Sequence, residues 1–416
     1  MSEGAAGLHD VVNADAVGFS VAARQVGRAL AGDGIGFVAT AMSHWHAVGV
    51  DAWLHHLRSS GEERPGVALL MPHARDGLLI GPDDLPLCQT DPGVTIIPVG
   101  AVFDGRGLRK WLDMLASVFG LLRLWMMRPG REARGSGPTL LLGSARNAGA
   151  AIFALARAGT RRVLRQRAIR LVAFDEGLGT YLEESIWEYP RRLERPRQGS
   201  GSDRGASLLR LLWGRARTAV AAGYPLEERF IFRRDATTGA LAPNEAVVAD
   251  YQVAMGAAHA GAPGLARGRR PIALVVPQPW SETQQVSRED ELDLMRLMAT
   301  RLVTAGFDVR IKPHPREAPG KYGVAATWSG DGCRAEDAAV AVERLFAGLR
   351  PGDVVVGFNS TCLLTASLLF GLPAYTVGGV LMARPGTGEW YRALQEGFTR
   401  LAGDSVGDFE SRFGTV

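Results

Sequence analysis

The feature that most constrains this chain is a repeating rhythm of short apolar runs separated by helix-forming segments. Gly36–Ala41, Val67–Met71, Val94–Val99, Thr139–Leu142 and Ile169–Phe174 read as buried strands, and stretches rich in Ala, Leu and Arg lie between most of them. Strands linked by helical crossovers lie parallel, so the pattern predicts an α/β fold with helices on both faces of the sheet. After Asp250 the rhythm restarts with strand Pro271–Val276, helix Arg288–Ala305, strand Phe307–Ile311, helix Ala335–Leu349, strand Asp353–Gly357 and helix Thr361–Phe370. Two such series predict two Rossmann-like doubly wound domains, 1–262 and 263–416, divided within the glycine- and arginine-dense Gly261–Arg270. Facing each other, they would leave a central cleft lined by the carboxyl ends of their strands, where open α/β sheets bind ligands. A polar, Gly/Ser-rich insert is expected at Arg191–Arg204.

Composition narrows the function. At 416 residues and 46% hydrophobic, the chain is long enough for two full cores. A formal net charge of +4 suits anionic substrates or a membrane surface and is too weak to imply nucleic acid. The three cysteines, Cys88, Cys333 and Cys362, are far apart, so neither a disulfide framework nor a zinc site is expected. The first residues lack the basic-then-apolar pattern of a secretion signal, and the cytoplasm is the expected compartment. No apolar run reaches the roughly 18–20 residues of a membrane span. Trp111–Met127 comes nearest and is broken by Asp113 and Arg123. Two basic, apolar-faced segments, Trp111–Arg128 and Ser207–Ala221, read as helices packed on the first domain, with peripheral attachment to an anionic membrane as the alternative.

Three segments at strand ends carry chemistry. The first is Asp175-Glu176-Gly177-Leu178-Gly179, after the strand Ile169–Phe174. Adjacent carboxylates repel, which favours a proton-accepting role for one of them, and Gly177 and Gly179 leave room for a substrate; a simple turn uses the same residue types. The second is Lys312-Pro313-His314-Pro315-Arg316, after Phe307–Ile311. Two prolines frame one histidine, which can donate a proton or a hydrogen bond to a phosphate, or serve as a turn residue. The third is Asn359-Ser360-Thr361, at the start of an apolar helix. These are helix-capping residues, and the same geometry presents free backbone N–H groups to an anion. His44, in Ser43-His44-Trp45-His46 after the first strand, is a further candidate on the first domain. Asp83-Asp84 reads as a turn, and no Asp-x-Asp occupies a metal-binding loop.

In this order the three segments resemble the D/E-D/E-G, HP and S/T motifs of the bacterial GT-B-fold sialyltransferases, including the polysialyltransferases and lipooligosaccharide sialyltransferases. The segment Val275–Glu282 (VVPQPWSE) resembles the family's nucleotide-side loop. The resemblance covers about the last 250 residues as motif order and spacing. It implies an inverting transferase that moves sialic acid from CMP-sialic acid to a capsule- or lipopolysaccharide-type glycan. Asp175 or Glu176 would be the base on the acceptor side, with Gly177, Gly179 and His44. His314 would protonate or hydrogen-bond the leaving phosphate. Ser360 and Thr361 would hold that phosphate, with Gln278, Ser281, Glu282, Lys312, Pro315 and Asn359 as further donor contacts. No metal or cofactor is expected, because a single phosphate can be stabilised by imidazole, hydroxyls and a helix dipole. The nearest rival is transfer of Kdo or another nonulosonic acid from its CMP form. A UDP- or GDP-sugar enzyme is a more distant one, and a catalytically silent glycan-binding or assembly protein is the alternative from another class.

Overall fold

The computed structural model describes residues 36–41, 43–70, 80–98, 139–142, 170–175, 226–235, 241–260, 265–283, 286–329, 332–338, 340–383 and 389–415. They belong to two compact units. The acidic-motif residues Glu176, Gly177 and Gly179, and the segments 111–128, 191–204 and 207–221, lie outside the described residues.

The first unit is built on a six-stranded parallel sheet. Its strands are β1 (Phe37–Ala41), β2 (Gly66–Leu70), β3 (Val94–Pro98), β4 (Thr139–Leu142), β5 (Arg170–Phe174) and β6 (Leu226–Phe230), in the order β3-β2-β1-β4-β5-β6. FVATA and GVALL are buried at every position, as expected of central strands covered on both faces. Strand β6, Leu-Glu-Glu-Arg-Phe, has no counterpart in the apolar rhythm. It pairs with β5 at the edge of the sheet.

The helix His44–Ser59 follows β1. Ser43 caps it by accepting a hydrogen bond from His46 N at 3.2 Å, and Val48, Val50, Trp53 and Leu54 are buried. Trp53 meets Phe37 edge-on at 5.1 Å. On the same buried face, the Asp51 carboxylate accepts hydrogen bonds from Leu87 N (2.9 Å) and Cys88 N (3.0 Å) in the short helix Pro86–Thr90. Burial pushes the Asp51 carboxyl up from 3.8 to about 6, against these amides and the Cys88 thiol, which favour the anion. A carboxyl raised in the folded state supports the fold most below its unfolded value, and that support is lost as pH rises through the folded value. Relative to Asp51→Asn, the wild-type chain is therefore expected to lose about 2 kcal/mol of stability between pH ~4 and ~7. Urea melts of both chains across that range measure it, and a constant gap would show that Asp51 titrates normally.

Among the described residues the second unit begins with the antiparallel pair β7 (Arg233–Asp235) and β8 (Leu241–Pro243) and the helix Glu245–Ala258. That helix packs on the helix Thr361–Phe370, where Gln252 Nε2 donates to Leu369 O at 3.3 Å. The sheet comprises β9 (Ile272–Val276), β10 (Asp308–Ile311), β11 (Cys333–Ala335), β12 (Val354–Gly357), β13 (Ala374–Thr376) and β14 (Gly407–Asp408), all parallel, in the order β11-β10-β9-β12-β13-β14. Both sheets thus have the 3-2-1-4-5-6 order of a doubly wound Rossmann fold.

The helix expected over Ala335–Leu349 is shorter. Cys333–Ala335 is instead a strand paired to β10, Glu336 N donates to Ile311 O at 2.7 Å, and the helix spans only Val342–Ala347. Pairing to the open edge of β10 overrides the helix propensity of the Ala-rich run. The helices Arg288–Thr304 and Thr361–Phe370 fall where the sequence places them, and Gly371, in the left-handed region at φ 63°, ends the latter. Among the described residues no helix is long and apolar enough to cross a membrane. Cys88, Cys333 and Cys362 are all free thiols.

Candidate active site

In a doubly wound sheet the chain reverses direction between its two central strands, and the crevice at that point is the natural ligand site. In the second unit this lies between β9 and β12. Gly357 ends β12 against Val276, and a Cβ there would sit 2.7 Å from Val276 O, so only glycine permits this approach. The chain then turns through Phe358 and Asn359 into the helix Thr361–Phe370. Ser360 Oγ caps that helix by accepting from Cys362 N (3.2 Å) and also accepts from Gln278 Nε2 (3.0 Å). The second bond crosses the reversal point and joins two residues singled out from sequence as donor contacts. With both lone-pair directions used, the Ser360 hydroxyl keeps its own proton to donate. Asn359 is 2% exposed, and among the described residues neither its amide nitrogen nor its oxygen has a hydrogen-bond partner. Leaving such a group unpaired costs roughly 1–3 kcal/mol, so a buried bare amide beside a helix start is a feature that a polar ligand explains.

The loop after β9 is anchored by Trp280, which is buried and meets Tyr391 edge-on at 4.9 Å. Beyond it, the polar groups of Ser281 and Glu282 are engaged within the protein. Ser281 N donates to Glu291 Oε2 (3.0 Å) and Ser281 Oγ to Glu282 Oε2 (3.2 Å). Glu282 also accepts from Ala318 N (3.1 Å) and Lys321 Nζ (2.9 Å). Burial alone would raise the Glu282 carboxyl, but the Ala318 amide and the Lys321 ammonium outweigh it and hold it below the usual range.

His314 lies on the loop after β10, beside β9. Its ring accepts a hydrogen bond at Nδ1 from Arg316 N (3.1 Å), which assigns the ring proton to Nε2. Its backbone N–H donates to Glu317 Oε2 at 2.6 Å. Pro315 is half-buried. Lys312 is buried, and its ammonium donates to Pro313 O (2.7 Å) and Ala338 O (3.0 Å), so it braces its own loop. Burial lowers its pKa.

A group absent from the sequence reading joins these loops. Lys321, whose side chain is fully buried, donates to Glu291 Oε2 (2.7 Å), Glu282 Oε2 (2.9 Å) and Glu317 Oε1 (3.1 Å). Tyr322 Oη donates to Glu317 Oε1 at 2.6 Å. The three carboxylates bring oxygens within 4.8 Å of one another, a grouping of the kind that holds metals, and here the cation among them is the lysine ammonium. Burial would lower the Lys321 pKa, but the three carboxylates outweigh it and raise it, so the side chain stays charged.

In the first unit Asp175 follows β5 and is 0% exposed, and Phe232 N donates to its Oδ2 at 3.4 Å. His44 is buried at the start of its helix, with Nδ1 3.1 Å from Asp84 Oδ1. Asp84 also accepts from Gly81 N (2.8 Å), so one residue of the Asp83-Asp84 turn supports a buried imidazole. His46 meets the Phe174 ring edge-on at 5.5 Å, which ties this helix start to the strand bearing Asp175.

Two Rossmann-like units, with a capped helix start at the reversal point of one and a proline-framed histidine on the neighbouring loop, are the parts of a GT-B glycosyltransferase. The family model of the alpha-2,8-polysialyltransferases (POLYST) matches residues 162–378, and the chain belongs to that family. It is a sialyl-transfer glycosyltransferase, acting between a sugar donor and a glycan acceptor. No curated protein matches it in sequence. Among solved structures it is similar to the alpha/beta-galactoside alpha-2,3-sialyltransferase of Photobacterium phosphoreum, at 8% identity and TM-score 0.43 over 91% of this chain and 100% of that one. It is also similar to a sialyltransferase from Photobacterium damsela, at 10% identity and TM-score 0.40 over 90% and 81%. A third is the ADP-heptose lipopolysaccharide heptosyltransferase II of E. coli, at 10% identity and TM-score 0.33 over 82% and 84%.

Proposed function

We propose that this chain transfers sialic acid from CMP-sialic acid to a glycan hydroxyl by a single inverting displacement that needs no metal ion. The observation that carries the donor side is the unpaired, buried Asn359 amide beside the Ser360 cap at the reversal point of the second sheet. A nucleotide monophosphate supplies both things this place lacks: an anion for the helix start and a polar edge for the amide.

The acceptor oxygen attacks the anomeric carbon as the bond from that carbon to the phosphate oxygen breaks. The acceptor proton passes to the carboxylate of Asp175 or Glu176, and CMP departs with the bonding pair. Charge grows on one phosphate, and hydrogen bonds from His314 and the Ser360 helix start suffice to steady it. The family name speaks of α-2,8 linkage, so a sialylated glycan of capsule or lipopolysaccharide type is the proposed acceptor, and the net charge of +4 favours an anionic one.

Incubation with CMP-N-acetylneuraminic acid and a short oligosialic acid is expected to release CMP and extend the glycan with inverted anomeric configuration, at an unchanged rate in excess EDTA. Faster release of CMP from CMP-Kdo would reassign the sugar. Release of UDP or GDP from their sugars in its place would overturn the donor class.

A further inference from the structure

We propose that Glu317 is a positioning residue for His314, held in register by Lys321, so that the buried Lys321 cluster sets the donor ability of the imidazole across the β9 and β10 loops. The inference rests on the proposed role of His314 at the leaving phosphate. Prolines on either side restrict the chain around His314: Pro313 fixes its own φ, and Pro315 biases His314 toward extended backbone. Neither fixes rotation about the bond from His314 N to Cα. The hydrogen bond from His314 N to Glu317 Oε2 (2.6 Å) supplies that restraint, and Arg316 N on Nδ1 then fixes the ring and its tautomer.

Glu317 is itself held on the opposite oxygen by Tyr322 Oη and Lys321 Nζ. Lys321 reaches through Glu291 to the first turn of the helix Arg288–Thr304 and through Glu282 to the loop carrying Gln278. Buried charges arranged this way are a poor source of stability, because desolvation cancels most of the attraction. What the arrangement provides is orientation: one lysine ties the segment that bears Gln278, which contacts Ser360, to the segment that bears His314. Both proposed phosphate contacts are thereby kept on one frame.

The test is a double-mutant cycle on CMP release from CMP-N-acetylneuraminic acid with water as acceptor, using Glu317→Gln and His314→Ala. Glutamine has one oxygen, which the Lys321 ammonium claims, leaving an amide N–H facing His314 N–H. Glu317→Gln is expected to lower kcat between about 10- and 100-fold in the wild-type background, the scale of a misplaced catalytic group, and by less than about threefold when His314 is already alanine. Equal losses in both backgrounds would overturn the proposal and leave Glu317 a purely structural residue. Full activity of His314→Ala would instead overturn the functional role of His314. In that case the ring itself decides: nitrogen-correlated NMR is expected to show a single Nε2–H tautomer at His314 that becomes mixed in Glu317→Gln, and an unchanged tautomer would refute the positioning role. Should Glu317→Gln fail to fold, Tyr322→Phe removes one hydrogen bond from Glu317 without exposing a charge. The same cycle then predicts a loss of about threefold that vanishes in the His314→Ala background.

Discussion

Replacing Asp175 with asparagine is expected to lower turnover by about 10³- to 10⁴-fold, at the upper end of what general-base catalysis contributes. The substitution is nearly isosteric, and the new side-chain oxygen can still accept the hydrogen bond that Phe232 N gives to Oδ2. Melting of the variant should therefore stay close to wild type, so the lost rate can be assigned to the lost ability to take a proton. The position of Asp175 sharpens the test. It is wholly buried at the end of β5, where the His44–Ser59 helix start meets the same strand through His46 and Phe174. A carboxylate so enclosed either acts on an acceptor that enters far enough to reach it or supports its neighbour Glu176. Glu176→Gln separates the two. If Asp175→Asn keeps wild-type turnover and Glu176→Gln abolishes it, the base is Glu176. If both keep it, neither carboxylate is the base and the single-displacement mechanism fails on its acceptor side.

How far the sequence could be read follows from where each feature keeps its information. Strands β1, β2, β9 and β12 are buried on both faces, so hydrophobicity alone marks them as continuous apolar runs. The edges carry no such mark. Strand β6 is Leu-Glu-Glu-Arg-Phe, and β11 is a three-residue strand, Cys-Arg-Ala, whose last two residues are exposed. Each is a strand because a neighbour offers an open edge, which is tertiary information. The same divide runs through the site. The Ser360 cap and the prolines around His314 act on backbone a residue or two away, so their chemistry is written locally. The Lys321 cluster is not: Lys321 and Glu282 are 39 positions apart, and nothing in either neighbourhood points to the other. The nearest available signal was Glu317, three residues past His314 and able to reach back to its amide. Ser281 and Glu282 show the converse: polar residues in a nucleotide-side loop suggest ligand contacts, and the structure adds hydrogen bonds by which they brace the loop, which their immediate sequence does not reveal.

His314→Ala is expected to cost about 10²- to 10³-fold in kcat, the usual worth of one preorganised hydrogen-bond donor aimed at developing charge. The tautomer determines which replacement restores it. Because Nδ1 accepts from Arg316 N, the proton the ring can share is on Nε2. A neutral imidazole of this kind is a good hydrogen-bond donor, and giving the proton away entirely would leave an imidazolate, which departing CMP does not require. Glutamine places an amide N–H near the position of Nε2 but cannot transfer a proton at neutral pH, whereas asparagine places its amide near Nδ1. Donation by a hydrogen bond therefore predicts that His314→Gln recovers at least about tenfold over His314→Ala, since one restored donor is worth a kcal/mol or more, while His314→Asn recovers little. Full protonation of the leaving group predicts that all three variants are equally slow. Single-turnover release of CMP, with CMP affinity measured separately by calorimetry, distinguishes the outcomes. A glutamine variant no faster than alanine, at equal CMP affinity, would make His314 a general acid and require a second proton on the ring, at Nδ1 in place of the hydrogen bond from Arg316 N, before reaction.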